Sequence, residues 1–379
     1  MDVNFMAKSS TDSPFFIRIA SNCVFKLGGI LLSHHEKDVL RECLIDGGKI
    51  ILSIRSSTSS SITTSHTPCA YLVYFGTNKA MVAEFKNQMM KEFEITDLGL
   101  MKYFLGIQVK QSPGKIFLAQ EKYIEDLLKK FNMSQCKPLS TPMALNENFQ
   151  VNDDGEKADS TSYRKLIGSL IYLNTRPNIT HSVSLLSRIL NETSQIHFAA
   201  AKRILRYLKA TKTQGIEFKK ESERKLVGYI DSDWVGSIDD RKSTSDYIFC
   251  LGSNVILWSS RKQKYVALSS VEAEYIACTD VACEGVWLQR ILKDMKFEQC
   301  EPTIIHCDNM SVIKMTKNPV FHARSKHIEL QHHFIRDLVT QEVISIKFIK
   351  TEDQPADIMT KAVTIDKFNK FKKKLKITN

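Results

Sequence analysis

The chain lacks the features that mark membrane and secreted proteins. No stretch of its 379 residues approaches the ~20 uninterrupted apolar residues that a membrane helix needs. The most apolar stretch, residues 15–32, is broken by Arg18, Asn22 and Lys26. A secretory signal would carry its basic residues before the apolar stretch and not within it. These absences predict a soluble intracellular protein, cytoplasmic or nuclear, with no membrane partner.

Paired cysteines and an acidic surplus are also missing. The nine cysteines include no CxxC pair, and Cys300, His306 and Cys307 have a spacing that fits no structural zinc site. A scattered, odd set of cysteines is typical of reduced thiols. Lys and Arg number 53 against 42 Asp and Glu, a net charge of +11. This balance favours a polyanionic partner, nucleic acid before membrane.

Residues 1–65 differ in composition from the rest of the chain. They show no sustained helical or alternating pattern, and residues 53–65 consist mainly of Ser and Thr. Such a composition buries too little apolar surface to offset the entropy of ordering. We therefore expect a low-structure N-terminal extension over residues 1–65.

Regular patterns begin near Tyr71. Residues 79–93 have helical spacing, and residues 103–109 and 115–118 flank Ser112-Pro113-Gly114, which predicts a β-hairpin. Residues 120–131 predict an amphipathic helix. Residues 198–210 predict a helix with a basic face, formed by Lys202, Arg203, Arg206 and Lys209. That face is either solvated or in contact with the phosphates of a duplex.

Several motifs in this region resemble the reverse transcriptase of copia-type LTR retrotransposons. In the order of that family, they are TDLGLMKYFLGIQV, LAQEKYIEDLLKKFNM, CKPLSTPM and YRKLIGSLIYL. The resemblance extends from about Tyr71 to about Lys361. It implies an α+β remnant: a truncated palm and thumb over residues 66–145, then a linker and helical connection over residues 146–222.

The sequence departs from that family at the polymerase site. The family carries a Tyr-x-Asp-Asp on a hairpin, whereas Tyr71-Leu72-Val73-Tyr74 runs directly into Phe75-Gly76 here. Polymerases need adjacent carboxylates to hold two metal ions. The fingers and the first half of the palm are absent as well. We therefore expect polymerase activity to be lost.

From residue 225 the pattern predicts strand, strand, strand, helix, strand, helix, helix, strand and helix, an α/β arrangement. The first strand, residues 226–230, ends in Asp231, with Asp233 close behind. A carboxylate at the end of a buried strand lies at a sheet edge, where catalytic groups are often mounted. Aspartate also favours turns, so Asp231 alone leaves both interpretations open.

The following long helix carries a second carboxylate of interest. Ser269 and Glu272 form a capping box, which gives Glu272 a structural role. Glu274 lies within the apolar stripe that includes Val271 and Cys278. A carboxylate facing the core must be paired, protonated or bound to metal, unless it lies at the stripe's edge and reaches solvent.

Two further aspartates each have a structural explanation. Asp308 follows the strand 303–307 and could cap the next helix. Asp357 lies in the first turn of the last helix, where an acid complements the helix dipole. Taken with Asp231, they place three carboxylates at strand or helix ends.

Six further motifs resemble the ribonuclease H domain of the same retrotransposon polyproteins. They are YIDSDWVG, DDRKSTSDYIFCLG, WSSRKQKYVALSSVEAEYIA, IIHCDNMSVI, RSKHIELQHHFIRD and IKTEDQPADIMTK. The resemblance implies a ribonuclease H-like mixed sheet flanked by helices over residues 223–379, with a basic tail. The family's four carboxylates bind two divalent ions and cleave the RNA strand of an RNA–DNA hybrid. Position by position, they fall on Asp231, Glu274, Asp308 and Asp357.

The resemblance also implies roles. Two Mg²⁺ ions, or Mn²⁺ in their place, would be bound with Asp231 as the bridging ligand. Glu274 and Asp308 would hold one ion and Asp357 the other, with Asp233 in support. Hard cations prefer carboxylate oxygens, and two of them can stabilise both the attacking and the leaving oxygen. The alternative is a non-catalytic nucleic-acid-binding protein or an inactive transposon relic.

Some positions depart from the family or lie outside its site. Asp246 stands where the family usually has Gly, which predicts local strain. Residues 350–356 lack the histidine that some ribonucleases H carry before the last carboxylate. We expect His327, His332 and His333 to be surface or packing residues. The lysine-rich tail, residues 361–376, is either solvated or in contact with phosphate.

Overall fold

A computed structural model describes the chain in segments. They are residues 4–8, 40–46, 49–55, 70–76, 79–92, 95–145, 147, 149–221, 223–295, 297–317 and 329–379. Within these residues lie three five-stranded sheets and ten α-helices. None of the described helices combines the length and the apolar character needed to cross a bilayer.

The first sheet is antiparallel, with the strand order β2-β3-β4-β1-β5. Its strands are β1 Asn4–Lys8, β2 Leu40–Asp46, β3 Lys49–Arg55, β4 Ala70–Gly76 and β5 Ile95–Leu100. Helix α1, Lys79–Glu92, connects β4 to β5. The predicted helix near residue 79 is thereby confirmed.

Three of these strands lie in the segment predicted to have little regular structure, and for them that prediction is wrong. β3 pairs with β4 along its whole length, so that Ile51 lies opposite Tyr74. The partner strand follows a Ser- and Thr-rich stretch, and strand formation depends on such pairing more than on local composition. The remainder of residues 1–65 lies outside the described residues.

The second sheet, in the order β15-β9-β8-β7-β6, combines strands from distant parts of the chain. Its strands are β6 Tyr103–Phe104, β7 Ile107–Ser112, β8 Lys115–Ala119, β9 Gly215–Lys219 and β15 Ile377–Thr378. The predicted hairpin is confirmed as β7 and β8, which turn at Gly114 with a φ of +74°. The predicted first strand is split at Leu105 and Gly106, which both have positive φ.

Four helices pack beside this sheet. They are α2 Glu121–Lys130, α3 Ser160–Ile171, α4 Thr180–Leu186 and α5 Gln195–Ala210. The predicted amphipathic helix is α2, which buries Ile124, Leu127 and Leu128. These side chains join the buried apolar residues of α3, α4 and α5 in one core.

Basic residues of α5 donate hydrogen bonds to another segment of the protein, whereas the sequence predicted contact with solvent or with phosphates. Arg206 Nε donates to the carbonyl of Lys137 at 2.8 Å, and Lys209 Nζ donates to the carbonyl of Cys136 at 2.8 Å. Arg203 donates to Thr141 Oγ1 at 3.2 Å. Carbonyls of an irregular segment need donors when the segment packs against protein. The basic face therefore fixes the chain that connects α2 to α3.

The third sheet has the order β12-β11-β10-β13-β14. Its strands are β10 Leu226–Asp233, β11 Thr244–Leu251, β12 Asn254–Lys262, β13 Thr303–Cys307 and β14 Ile344–Phe348. The first three strands are antiparallel neighbours, whereas β10, β13 and β14 run parallel. Its helices are α6 Ser270–Asp294, α7 Met310–Lys317, α8 Glu329–Thr340, α9 Asp357–Thr360 and α10 Ile365–Lys374. The predicted mixed sheet flanked by helices is confirmed.

Strand β11 separates two hydrophobic cores. Successive side chains of a strand point to opposite faces, so Tyr247 and Phe249 join the core that α6, α7 and α8 cover. Ile248 and Cys250 join the core that contains the buried residues of α2 to α5. The third sheet therefore shares a core with the helices that precede it, and residue 223, predicted as a domain boundary, is not a boundary between cores.

This shared core predicts that residues 223–379 are unstable when expressed alone. Trp258 and Val255 would lose their packing partners on α4 and α5, and β15 would lose its partner β9. Each large apolar side chain returned to water costs about 1.5–3 kcal/mol, so we expect a loss of several kcal/mol in all. Thermal unfolding of residues 223–379 beside residues 103–379, which keep the shared core, measures this effect. Equal melting temperatures would contradict it.

Candidate metal centre

The predicted site lies where two parallel strands separate. Asp231 is near the carboxyl end of β10, and Asp308 directly follows its neighbour β13. From β10 the chain continues to β11, which lies on the side of β10 away from β13. From β13 it eventually continues to β14, which lies on the side of β13 away from β10. The connections that follow β10 and β13 therefore lead in opposite directions. In α/β sheets a crevice forms at such a switch point, outside the carboxyl ends of the strands.

Helix α6 brings Glu274 to this crevice. Ser269 accepts a hydrogen bond from the Glu272 amide at 3.2 Å, and Glu272 Oε2 accepts one from the Leu268 amide at 3.0 Å. Ser269 thus caps α6 as predicted, and the Glu272 carboxylate binds the amide of the residue before the N-cap. Two residues on, Glu274 is 7% exposed, and its Oε2 has no hydrogen-bond partner among the described residues. The alternative in which Glu274 reaches solvent is therefore wrong.

The short helix α9 supplies the fourth carboxylate. Asp357 is its first residue and is completely buried. Thr360 of the same helix donates a hydrogen bond to Asp231 Oδ2. Helix α9 thus places Asp357 beside the end of β10.

All four predicted site residues converge. Carboxylate oxygens of Asp231, Asp308 and Asp357 lie within 4.8 Å of one another. A second group within the same limit consists of Glu274, Asp308 and the Cys307 sulfur. Asp308 belongs to both groups, whereas the resemblance implies Asp231 as the shared ligand; the individual roles stay predictions.

Lysines from the C-terminal region reach the same oxygens. Lys361 Nζ lies 3.2 Å from Asp231 Oδ2 and 3.1 Å from Asp357 Oδ1. Lys367 pairs with the other oxygen of Asp357. These two lysines belong to the tail that was expected to be solvated or bound to phosphate. In the structure their ammonium groups instead lie against the buried aspartates and offset the negative charge of these side chains.

The electrostatics of the cluster are those of crowded, buried acids. Burial raises the pKa of Glu274 to about 9, with further contributions from the charges of Asp231 and Asp308. Burial and the charge of Asp231 raise the pKa of Asp357 to about 6, although Lys361 and Lys367 act in the opposite direction. For Lys361, burial opposes the charged form, but the two aspartates outweigh it and raise its pKa. The site therefore favours added positive charge.

Cys307 is a poor candidate ligand despite its position. Burial, and then the charge of Glu274, raise the pKa of its thiol well above the usual range. Hard divalent cations also prefer oxygen to sulfur. The second group is thus effectively the carboxylate pair Glu274 and Asp308.

Asp246 is a fifth acid that lies close to the site. It pairs directly with Asp231 across β10 and β11, so the two side chains lie on the same face of the sheet. Asp246 is fully buried, and burial raises its pKa well above the usual range, with the nearby Asp231 acting in the same direction. Asp246 is not among the residues with positive φ, so the predicted backbone strain is not found. An acid at this position therefore destabilises the fold through its buried charge and not through backbone strain.

Other predicted positions play smaller parts. Asp233 is partly buried, and burial followed by the charge of Asp231 raises its pKa. His333 on α8 is exposed, and no histidine joins the carboxylate groups found among the described residues. His327 lies outside the described residues, as does the side chain of His332.

The donor set suits divalent cations such as Mg²⁺. Mg²⁺ binds oxygens at about 2.0–2.1 Å, so two ligands of one ion are separated by up to about 4 Å. The unpartnered, buried Oε2 of Glu274 is also an oxygen for which a cation would compensate.

The strand order of the third sheet and the helices that flank it define a ribonuclease H-like fold. The family described as reverse transcriptase (RNA-dependent DNA polymerase) matches residues 69–145. Over 78–80% of its length, the chain is homologous to copia-type Pol polyproteins of LTR retrotransposons.

Two relatives illustrate this similarity to copia-type Pol polyproteins. The retrovirus-related Pol polyprotein from transposon TNT 1-94 of Nicotiana tabacum is 39% identical over 307 residues, covering 78% of this chain and 23% of that protein. The corresponding polyprotein from transposon RE1 of Arabidopsis thaliana is 38% identical over 304 residues, covering 80% and 21%. The chain thus spans about a fifth to a quarter of the length of these relatives.

A solved structure gives a looser similarity. A foamy viral protease-reverse transcriptase in complex with an RNA/DNA hybrid is 12% identical, with a TM-score of 0.40, covering 76% of this chain and 35% of that one. A similarity at this level carries no functional argument.

Sequence reasoning missed several contributors to the site, and three of them come from side chains of Lys and Gln. Lys361, Lys367 and Gln354 each contact it from the last 26 residues of the chain. A lysine at the fourth position after Asp357 was a local signal for the first of them, because residues i and i+4 of a helix are neighbours. Gln354 and Lys367 gave no such signal.

Proposed function

We propose that this protein is a metal-dependent ribonuclease H that hydrolyses the RNA strand of RNA–DNA hybrids. The observation that carries the proposal is the convergence of Asp231, Glu274, Asp308 and Asp357 at one crevice, in two groups that share Asp308. The four acids repel one another because like charges lie close together, and Lys361 and Lys367 pair only with Asp231 and Asp357 among the four. A pair of divalent cations would resolve that repulsion.

The residues of the chain have separate tasks in this reaction. The chemistry that bound Mg²⁺ would supply here is activation of water and stabilisation of the charge that develops on the phosphate. Asp231, Asp308 and Asp357 would hold and orient the ions, and Glu274 would hold the ion on the α6 side. Lys361, with its side chain 44% exposed, can turn from the aspartates towards a phosphate oxygen. Selectivity for RNA requires contact with the 2′-hydroxyl in the minor groove.

We further propose that the chain has no polymerase activity. The reverse transcriptase match covers residues 69–145, but its strand β4 reads AYLVYFG and contains no carboxylate. The two-metal chemistry of nucleotide addition depends on such groups. Addition of nucleotides to a primed template should therefore be undetectable.

A second candidate function is non-catalytic binding of nucleic acid. Asp246 favours it, because a fifth acid buried opposite Asp231 can distort the arrangement of ligands. The net charge of +11 supports binding in either case.

Cleavage of a labelled hybrid by the full-length protein tests the proposal. With Mg²⁺, we expect the RNA strand of a hybrid to be cut, and the same RNA in single-stranded form to remain intact. Chelation by EDTA should abolish cutting. A folded protein that binds the hybrid without cutting it in Mg²⁺ or Mn²⁺ would support the second candidate and overturn the first.

A further inference from the structure

A side chain from outside the sheet bridges β10 and β13 at the end of their paired segment. The two strands pair at Val227, Gly228 and Tyr229, and the last pair is Tyr229 with His306. Beyond this pair, β10 continues beside β11 towards Asp231 while β13 ends at Cys307. Backbone carbonyls that face such a gap lose their partners and need another donor.

Gln354 supplies that donor. Its side-chain Nε2 donates to the carbonyl of Ile230 at 2.7 Å and, more weakly, to the carbonyl of His306 at 3.4 Å. Gln354 is completely buried. Since both acceptors are carbonyls, the amide nitrogen must face the strands. One carboxamide therefore joins the residue before Asp231 to the strand that leads into Asp308.

The main chain of Gln354 reaches the third aspartate. Its carbonyl accepts a hydrogen bond from the Asp357 amide at 3.3 Å. Its own amide donates to Thr351 at 3.3 Å, which closes the turn before α9. Thr351 in turn donates from its hydroxyl to Asp308 Oδ2 at 2.8 Å. The turn is thus fixed to both strands and to one of the carboxylates.

We infer that Gln354 is the positioning residue that sets the spacing of Asp231, Asp308 and Asp357. It touches neither ion nor substrate, but it holds the ends of two strands and the start of α9 in one arrangement. The inference rests on the proposed metal-dependent function. Hydrogen-bonded groups behind metal ligands typically contribute about 10–100-fold to metal affinity.

Replacement of Gln354 by Leu tests this role, since Leu is of similar size and cannot donate. Gln299 provides a matched control at the opposite end of β10, where its side chain accepts from the Leu226 amide at 2.9 Å. Both Gln354→Leu and Gln299→Leu lose a hydrogen bond to the same strand. We expect about a tenfold or greater rise in the Kd for Mn²⁺ in Gln354→Leu and less than a twofold change in Gln299→Leu.

Three measurements on the full-length protein separate the outcomes. Mn²⁺ titration gives metal affinity, hybrid binding in EDTA gives duplex affinity, and hydrogen exchange of residues 351–361 reports the local turn. Gln354→Leu should weaken Mn²⁺ binding and speed exchange there, with duplex affinity unchanged within twofold. If Gln354→Leu kept wild-type Mn²⁺ affinity, the positioning role would be wrong while the metal-dependent function stood. A wild-type protein that binds no Mn²⁺ would overturn both.

If Gln354→Leu does not fold, Gln354→Asn keeps the test decisive. Its amide is one methylene shorter and still polar, so it preserves the chemistry but not the reach. We expect an intermediate rise in the Mn²⁺ Kd for Gln354→Asn. An unchanged Kd in a folded Gln354→Asn protein would also count against the inference.

Discussion

Asp231→Asn is expected to lower the rate of hybrid cleavage by about 10³-fold or more. Asp231 is buried at the end of β10, in the group that contains Asp308 and Asp357. Asparagine has the same shape but removes a negative charge from the ligand set. A bound metal contributes several kcal/mol to stabilising the transition state, and each 1.36 kcal/mol corresponds to a factor of ten in rate.

Asp233→Asn is the matched control for this substitution. It removes the same charge two residues away on the same strand, and Asp233 does not belong to either carboxylate group. We expect about a tenfold loss or less. Single-turnover rates at saturating Mg²⁺, with circular dichroism to verify folding, compare the two variants. If Asp231→Asn retained more than a tenth of the wild-type rate, Asp231 would not be an essential ligand.

The second large effect concerns the dependence of stability on pH and metal. Glu274 and Asp357 have folded-state pKa values of about 9 and about 6, above the ~4 of exposed carboxyls. As the pH rises above about 4, the unfolded chain releases these protons before the folded one does. Unfolding is therefore favoured progressively up to pH 6 through Asp357 and up to pH 9 through Glu274.

In EDTA, we expect the free energy of unfolding to fall by a few kcal/mol between pH 5 and pH 9. Mg²⁺ at millimolar concentration should restore much of this loss at pH 8, because it binds the ionised, folded form. Urea denaturation at a series of pH values, with and without Mg²⁺, measures both effects. Stability in EDTA that is constant or rises across this range would contradict the prediction.

Glu274→Gln identifies the group responsible. An uncharged amide cannot ionise, so the variant should lose less stability than the wild type between pH 6 and pH 9. Glu352→Gln is a suitable control, because Glu352 is exposed and its side chain lies in a surface turn before α9. Its profile should match that of the wild type.

Much of the site could be predicted from local sequence. Asp231 at the end of an apolar run, Glu274 within a helical stripe and Asp308 after a strand are patterns within a few residues. Asp357 at the start of a helix was a fourth such pattern, and the resemblance to a ribonuclease H domain implied a common role for all four. The structure brings these four together because the ends of β10 and β13 meet at one crevice.

The errors have a common cause in long-range contact. The strands of residues 4–55 form against β4 and β5, and the basic face of α5 binds the segment at residues 136–141. In each case the structural partner lay far along the chain, outside any local pattern. For the same reason no local pattern indicated that Trp258 shares a core with helices that precede residue 223.

The sequence by itself determined the order along the chain of the five strands in the third sheet, and it supplied the four candidate carboxylates. Periodicity and strand ends are local properties that depend on residues close together in the sequence. The tertiary structure alone decided what surrounds those carboxylates. Gln354 bonds to Ile230 across 124 positions and Lys361 to Asp231 across 130, contacts that follow from packing and that no window of sequence contains.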